Sequence, residues 1–167
     1  RMSQTDAPAS LAPTDLAEDE RLFRDSVLEF ARAEIAPHVR AMDEQARLVP
    51  SLVEQLFGVG VMGIEVPEAY GGAGGTFFHS VLAVEALAEV DASVAVLVDV
   101  QNTLVNNAIK RWASPAIQKK YFPQLAKQKV ASYALSEAGS GSDAFALATT
   151  AAPKGDRWVL NGEKWFV

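Results

Sequence analysis

Residues 133–143 have the composition of an anion-binding loop. A short β-type run ends there in two glycines, Gly139 and Gly141, which alternate with serines. Glycine allows positive φ and lets a ligand approach the backbone closely, while neighbouring N–H groups and hydroxyls can together hold a phosphate. The segment therefore predicts a loop that donates hydrogen bonds to an anionic group.

A dinucleotide-binding fingerprint is a competing interpretation of this loop. Gly139, Gly141 and Ala144 satisfy the pattern G-x-G-x-x-A, and Glu163 follows at about 20 residues. The fingerprint also requires a helix that begins at the loop. Residues 145–152 are too few and too interrupted by threonine for that helix, so we favour extended strands. A glycine turn that binds no ligand is a third interpretation.

Three motifs in order along the chain resemble those of the acyl-CoA dehydrogenase family. They are VPEAYGGAG at 66–74, YALSEAGSGSD at 133–143 and NGEKWF at 161–166. Further segments resemble the short/branched-chain members of the family, namely 62–65, 90–96, 101–104 and 135–139. The resemblance implies an α+β fold. An amino-terminal all-helical domain would be followed by the opening strands of an antiparallel β domain, and the family's carboxy-terminal helical bundle would be absent from this chain.

The family resemblance also implies an activity. It is the FAD-dependent α,β-dehydrogenation of a short or branched-chain acyl-CoA to the trans-2-enoyl-CoA, with an electron-transfer flavoprotein as acceptor. A homotetramer in the bacterial cytoplasm or the mitochondrial matrix is expected. The family's catalytic glutamate belongs to the absent bundle, so the catalytic residue is unknown. A flavin-dependent acyl-CoA oxidase, a non-catalytic partner subunit and a helical scaffold with a vestigial flavin loop are the alternatives.

The implied flavin-contacting residues lie in the two later motifs. They are Tyr133, Leu135, Ser136, Gly141, Ser142 and Phe166. In the family, the first three positions line the flavin ring and the next two lie beside the pyrophosphate, with Ser142 also near the CoA chain. Phe166 stands where many relatives place a tryptophan against the flavin. The resemblance implies a structural role for Glu137, since the family uses this position structurally and an acid beside a flavin phosphate would repel it unless turned away.

Gln101 and Asn102 are polar residues on an otherwise apolar helix. The resemblance places them on the wall of the acyl pocket, and they are the predicted substrate-binding residues together with Ser142. Hydrogen bonding between helices is the alternative, and the sequence does not decide between the two.

Composition limits the other function classes. The 15 basic and 21 acidic residues give a net charge of −6, which argues mildly against a nucleic-acid partner. The chain has no cysteine, which excludes disulfides and thiolate catalysis. His38 and His79 have no second histidine at ligand spacing, so no metal site is predicted. Without a long apolar run, the protein is expected to be soluble and to have no membrane span.

The hydrophobic pattern predicts a change in organisation near residue 130. Residues 1–13 are interpreted as a disordered tail, 14–130 as the helical domain and 131–167 as the incomplete β domain. Helices are expected from Thr14, as the cap with Asp15 in the first turn, to Pro37 and over 51–57, 77–90, 93–112, 115–120 and 121–128, with an extended loop over 62–72. The helix over 77–90 is expected to bury a stripe of Val81, Val84, Leu87 and Ala88, and the first half of 93–112 is expected to be buried all round. A turn is expected at 154–156. Asn161 and Gly162 predict a type I′ hairpin turn. The chain would then stop inside a strand, which suggests that it is cut off.

Overall fold

The computed structural model describes residues 15–167, which form two compact units. The first unit is helical and ends at Lys129, and the second comprises Val130–Val167. The predicted tail over residues 1–13 and the predicted cap Thr14 lie outside the described residues.

The helical unit contains seven α-helices in its described part. They are α1 Glu18–Phe30, α2 Val39–Gln45, α3 Pro50–Gly58, α4 Phe77–Ala88, α5 Ala92–Asp99, α6 Asn107–Trp112 and α7 Pro115–Leu125. A π-helical segment, Ala31–Ile35, extends α1, and a second one, Val100–Asn106, joins α5 to α6. Residues 92–112 are therefore one continuous helical stretch, as the sequence predicts, with an unpredicted π-segment at its centre.

Local capping sets where several helices begin. The Asp91 carboxylate accepts a hydrogen bond from Val94 N at 2.8 Å, and the Ser114 hydroxyl accepts one from Ile117 N at 3.4 Å. The helix start predicted at Ser114–Pro115 is thus confirmed. Asp15, expected in the first turn of α1, instead precedes that helix, which begins at Glu18.

The break predicted after Lys120 is wrong, because α7 runs unbroken to Leu125 and includes Pro123. Pro123 is exposed, whereas Phe122 and Leu125 are buried. Burying these two side chains offsets the backbone hydrogen bond lost at the proline.

The buried face of α4 also differs from the expected stripe of Val81, Val84, Leu87 and Ala88. Val81 and Ala88 are exposed, and the buried residues are Ser80, Leu82, Ala83, Ala86 and Leu87. Because α4 packs against both α1 and α5, it buries a broad face that is rich in small side chains. The main core lies between these helices and α3 and includes Ile35, Leu52, Leu56, Leu87, Val94 and Val98.

The loop that follows α3 packs against the helices, because its glycines permit close contacts. It contains two 3-10 turns, Val61–Gly63 and Glu68–Tyr70, within the segment predicted as extended. A Cβ on Gly63 would lie 2.9 Å from the Cβ of Ala126, and one on Gly72 would overlap the carbonyl of Val66.

The second unit contains one antiparallel hairpin, formed by β1 Thr150–Lys154 and β2 Arg157–Asn161. Lys154 pairs with Arg157 across a turn in which Gly155 has φ 64°. The type I′ turn predicted at Asn161–Gly162 is wrong. Asn161 is paired with Thr150 as the last residue of β2, Gly162 has φ 157°, and residues 163–167 form no strand. The chain after β2 instead contacts the glycine loop, where Trp165 N donates to Ser136 O at 2.9 Å.

Candidate functional site

The glycine loop closes on itself around a tight turn. Glu137 and Ser140 exchange two backbone hydrogen bonds, of 2.9 and 3.0 Å, across Ala138 and Gly139. The buried Ser140 hydroxyl donates to Asp143 O at 2.8 Å. The loop is therefore shaped by its own hydrogen bonds.

Glycine is not needed in this loop for backbone conformation. The expectation of positive φ is wrong here, because neither Gly139 nor Gly141 is among the described glycines with positive φ. A Cβ built on either residue would meet no atom within 4 Å. The packing of the described residues therefore leaves open space in front of the loop, where a ligand could approach the backbone.

The same loop has hydrogen-bond donors to offer. Gly141 and Ser142 are exposed, and within residues 15–167 their N–H groups donate no hydrogen bond. The Ser142 hydroxyl is also without a partner within that range. Successive N–H groups and a hydroxyl in an open loop can hold an anionic oxygen.

Glu137 lies behind this loop and joins three chain segments. Its Oε1 accepts hydrogen bonds from Lys164 Nζ at 2.7 Å and from Thr149 N at 3.1 Å, and its Oε2 accepts one from Ala148 N at 2.7 Å. The Lys164 ammonium, followed by Thr149 and Ala148, lowers the pKa of the Glu137 carboxyl from 4.5 to about 2. These contacts are those of a structural carboxylate, as the sequence interpretation expects.

The third motif meets the second through backbone and side-chain contacts. Trp165 N donates to Ser136 O at 2.9 Å, and Lys164 Nζ donates to Leu135 O at 2.9 Å. Phe166, next along the chain, has φ 56° and is 94% exposed. The structure thus brings Ser136 and the Phe166 segment together, although they are far apart in sequence.

The other two residues predicted to line the flavin ring lie in the same unit. Tyr133 and Leu135 are 41% and 36% exposed, so both side chains remain available for contact. All six predicted flavin-contacting residues therefore lie within Val130–Val167.

Gln101 and Asn102, in contrast, point into the helical unit and are fully buried. Gln101 Nε2 donates to Leu125 O at 3.0 Å and to Lys129 O at 2.9 Å. Asn102 Nδ2 donates to Val61 O at 2.7 Å and to Val98 O at 2.9 Å, and its Oδ1 accepts from Ile64 N at 2.9 Å. These hydrogen bonds favour the alternative reading, in which the amides join segments of the fold.

Two features of this helical stretch escaped the sequence reasoning. Asn106, which is also buried, donates from Nδ2 to Met62 O at 3.1 Å and adds a third amide to the same face. Val96 and Leu104 are 58% and 40% exposed, although the first half of the helix was expected to be buried all round. The sequence could have indicated a buried polar face here, since Gln101, Asn102 and Asn106 lie at positions i, i+1 and i+5 of an otherwise apolar helix.

Comparison with known proteins identifies the family. Residues 17–129 match the model of the acyl-CoA dehydrogenase N-terminal domain. The chain is 47% identical over 155 residues to a probable short/branched chain specific acyl-CoA dehydrogenase of Dictyostelium discoideum, covering 92% of this chain and 38% of that protein. It is 43% identical over 158 residues to the mitochondrial short/branched chain specific acyl-CoA dehydrogenase of Bos taurus, covering 94% and 37%.

A solved structure agrees with the sequence matches. Butyryl-CoA dehydrogenase from Megasphaera elsdenii superposes with a TM-score of 0.83 at 30% identity, covering 90% of this chain and 40% of that one. The chain spans about two fifths of the length of the curated relatives it matches. The predicted α+β fold, with a helical domain followed by antiparallel strands, is confirmed. The chain belongs to the acyl-CoA dehydrogenase family, and its helical unit corresponds to the amino-terminal domain of that family.

Proposed function

We propose that this chain forms part of a flavoenzyme that dehydrogenates a short or branched-chain acyl-CoA to its trans-2-enoyl-CoA. The observation that carries the proposal is the meeting of two motifs beside an open glycine loop. Ser136 and Glu137 of one motif contact Trp165 and Lys164 of the other. The names of the relatives support the same reaction class and favour short, branched acyl groups.

The second unit offers hydrogen-bond donors and exposed side chains that suit the groups of FAD. FAD carries an anionic pyrophosphate and a planar ring with a polar edge. We assign the pyrophosphate to the open loop at Gly141 and Ser142, whose N–H groups have no partner within the described residues. We assign the ring to Tyr133, Leu135 and Ser136, with Phe166 as an aromatic contact. FAD, when bound, supplies the acceptor for the hydride that leaves the substrate's β carbon.

The acyl chain requires an apolar wall, which we assign to the exposed side of the helical stretch 92–112. Val96 and Leu104 lie eight positions apart, about two helical turns, and both are substantially exposed. Gln101 and Asn102 support this wall indirectly, because their buried amides hold the helical stretch against α7 and against the loop that follows α3. Ser142 is retained as a contact for the CoA chain.

No described carboxylate is assigned as the base that removes the α proton. Glu137 is held by Lys164 and two backbone N–H groups. Glu65 is buried, and its Oε1 accepts hydrogen bonds from Ser80 Oγ at 3.0 Å and Asn107 Nδ2 at 3.2 Å. We therefore propose that the base comes from the part of the relatives that this chain does not span.

Family membership supports three further proposals. They are an electron-transfer flavoprotein as electron acceptor, assembly as a homotetramer, and a location in the bacterial cytoplasm or the mitochondrial matrix. Among the helices of residues 15–167, none is both long and apolar enough to cross a membrane.

The test uses the full-length protein, meaning this chain together with the remainder that its relatives carry. We expect purified protein to contain FAD, and a short 2-methyl-branched acyl-CoA to bleach the flavin absorbance under anaerobic conditions faster than a long straight-chain thioester does. Protein without FAD, or flavin that no acyl-CoA reduces, would contradict the proposal. Rapid peroxide formation in air without an added acceptor would instead indicate an acyl-CoA oxidase.

A further inference from the structure

One ion pair lies where the two motifs of the second unit meet. Glu137 Oε1 and Lys164 Nζ are 2.7 Å apart, and the two side chains are only 8% and 24% exposed. The other described ion pairs are formed by more exposed side chains, such as Arg157 and Asp156 at 83% and 91%. The partial burial of Glu137 and Lys164 limits screening by water and salt, so their attraction is stronger than that of an exposed pair.

Both members of this pair have additional backbone partners that fix their positions. Glu137 accepts from the N–H groups of Ala148 and Thr149, which precede β1. Lys164 donates to the carbonyl of Leu135 as well as to Glu137. The pair therefore connects the glycine loop, the entry to β1 and the segment after β2.

Two of the residues assigned to FAD lie close to this pair along the chain. Ser136 precedes Glu137, and Phe166 lies two residues after Lys164. Trp165 N donates to Ser136 O, so the two segments are joined by backbone as well as by charge. Moving either charged side chain would shift a flavin-contacting residue on each segment.

We infer that Glu137 and Lys164 form a positioning pair that holds Ser136 and Phe166 in the arrangement that FAD requires. This inference rests on the proposed function, since it concerns the same flavin site. Glu137 accepts hydrogen bonds from Lys164 Nζ and from the N–H groups of Ala148 and Thr149, so we assign the pair a role that it exerts through the segments it joins.

The test is a double-mutant cycle on FAD affinity in the full-length protein. Glu137→Gln removes the charge and keeps one oxygen, which can accept from only one of the two backbone N–H groups. Lys164→Met removes the ammonium while keeping an unbranched apolar side chain. We expect each change to weaken FAD binding about tenfold, because hydrogen bonds between charged groups are among the strongest in proteins. The double variant should be weakened no more than Glu137→Gln alone, and not a hundredfold, because both changes break the same ion pair. Fluorescence titration of the apoprotein with FAD measures these affinities.

Two controls separate positioning from general instability. Arg157→Met removes an exposed pair of the same unit and should leave FAD affinity unchanged. Lys164→Arg keeps the charge and should restore FAD binding and the absorption spectrum of bound flavin, even if Lys164→Met unfolds the protein. Near-wild-type FAD affinity in Glu137→Gln and Lys164→Met would overturn the inference, as would loss of FAD from folded Lys164→Arg. Failure of the wild-type protein to bind FAD would refute the proposed function instead.

Discussion

Asn102 offers the most direct test of how the helical unit is held together. Its amide is fully buried and makes three hydrogen bonds, to Val61 O, Val98 O and Ile64 N. Asn102→Ala removes all three. It leaves Val61 O and Ile64 N buried with no other hydrogen-bond partner among the described residues.

The expected cost follows from these unpaired groups. Each buried polar group without a partner costs about 1–3 kcal/mol, so two of them predict a loss of about 3 kcal/mol after partial relaxation. That loss is a large fraction of the roughly 5–15 kcal/mol that stabilises a typical domain. Asn102→Asp should be at least as harmful, because it sets a buried carboxylate against the carbonyls of Val61 and Val98.

Urea unfolding followed by far-UV circular dichroism measures the free energy of unfolding. Thr103→Ala is the matched control, since the Thr103 hydroxyl donates only to Asp99 within its own helical stretch. It should cost no more than about 0.5 kcal/mol. A loss below about 1 kcal/mol in Asn102→Ala would refute the reasoning. If that variant also changed the preference for acyl-chain length, Asn102 would belong to the pocket wall itself.

Three further predictions test the loop, the carboxylate and the glycines. Ser142→Val should reduce FAD retention in the full-length protein, measured as flavin per polypeptide, because the β-branched side chain removes a hydroxyl and crowds the open loop; full retention would place the pyrophosphate elsewhere. The pKa of Glu137 is lowered in the folded state, so its contribution to stability is present above pH 4.5 and is lost as the pH falls towards about 2. Over that pH range the midpoint of urea unfolding should fall more in the wild-type protein than in Glu137→Gln. An equal fall of the midpoint in both proteins would contradict the ion pair. Gly72→Ala should lower the free energy of unfolding by about 1–3 kcal/mol, because the new Cβ would overlap the carbonyl of Val66. Gly58→Ala is the control and should not lower it, because a Cβ at Gly58 would meet no atom within 4 Å. Equal losses in the two variants would contradict the close contact between Gly72 and Val66.

The sequence by itself determined the features that depend on neighbouring residues. The start of α7 at Pro115 follows from the preceding serine, because the Ser114 hydroxyl accepts a hydrogen bond from the N–H group of Ile117 in the first turn. The change from helices to extended chain near residue 130 and the turn around Gly155 are likewise local in origin. The family motifs are contiguous in sequence, so the family and the fold class could be predicted without a structure.

The tertiary structure decided the features that depend on residues far apart in the chain. Whether Gln101 and Asn102 face a ligand or the core is fixed by their partners at Leu125, Lys129, Val61 and Ile64, which no local pattern reveals. The continuation of α7 through Pro123 depends on burying Phe122 against Val66.

The segment after β2 shows most clearly that a local sequence pattern can be overridden by distant contacts. Asn-Gly is a strong local signal for a hairpin turn, yet Asn161 pairs with Thr150 and the following residues contact Ser136 and Glu137. The ion pair and the backbone hydrogen bonds formed with the glycine loop outweigh the local preference for a turn. The sequence therefore predicts the residues of the candidate site, whereas the folded chain shows that Glu137 and Lys164 join the segments that carry Ser136 and Phe166.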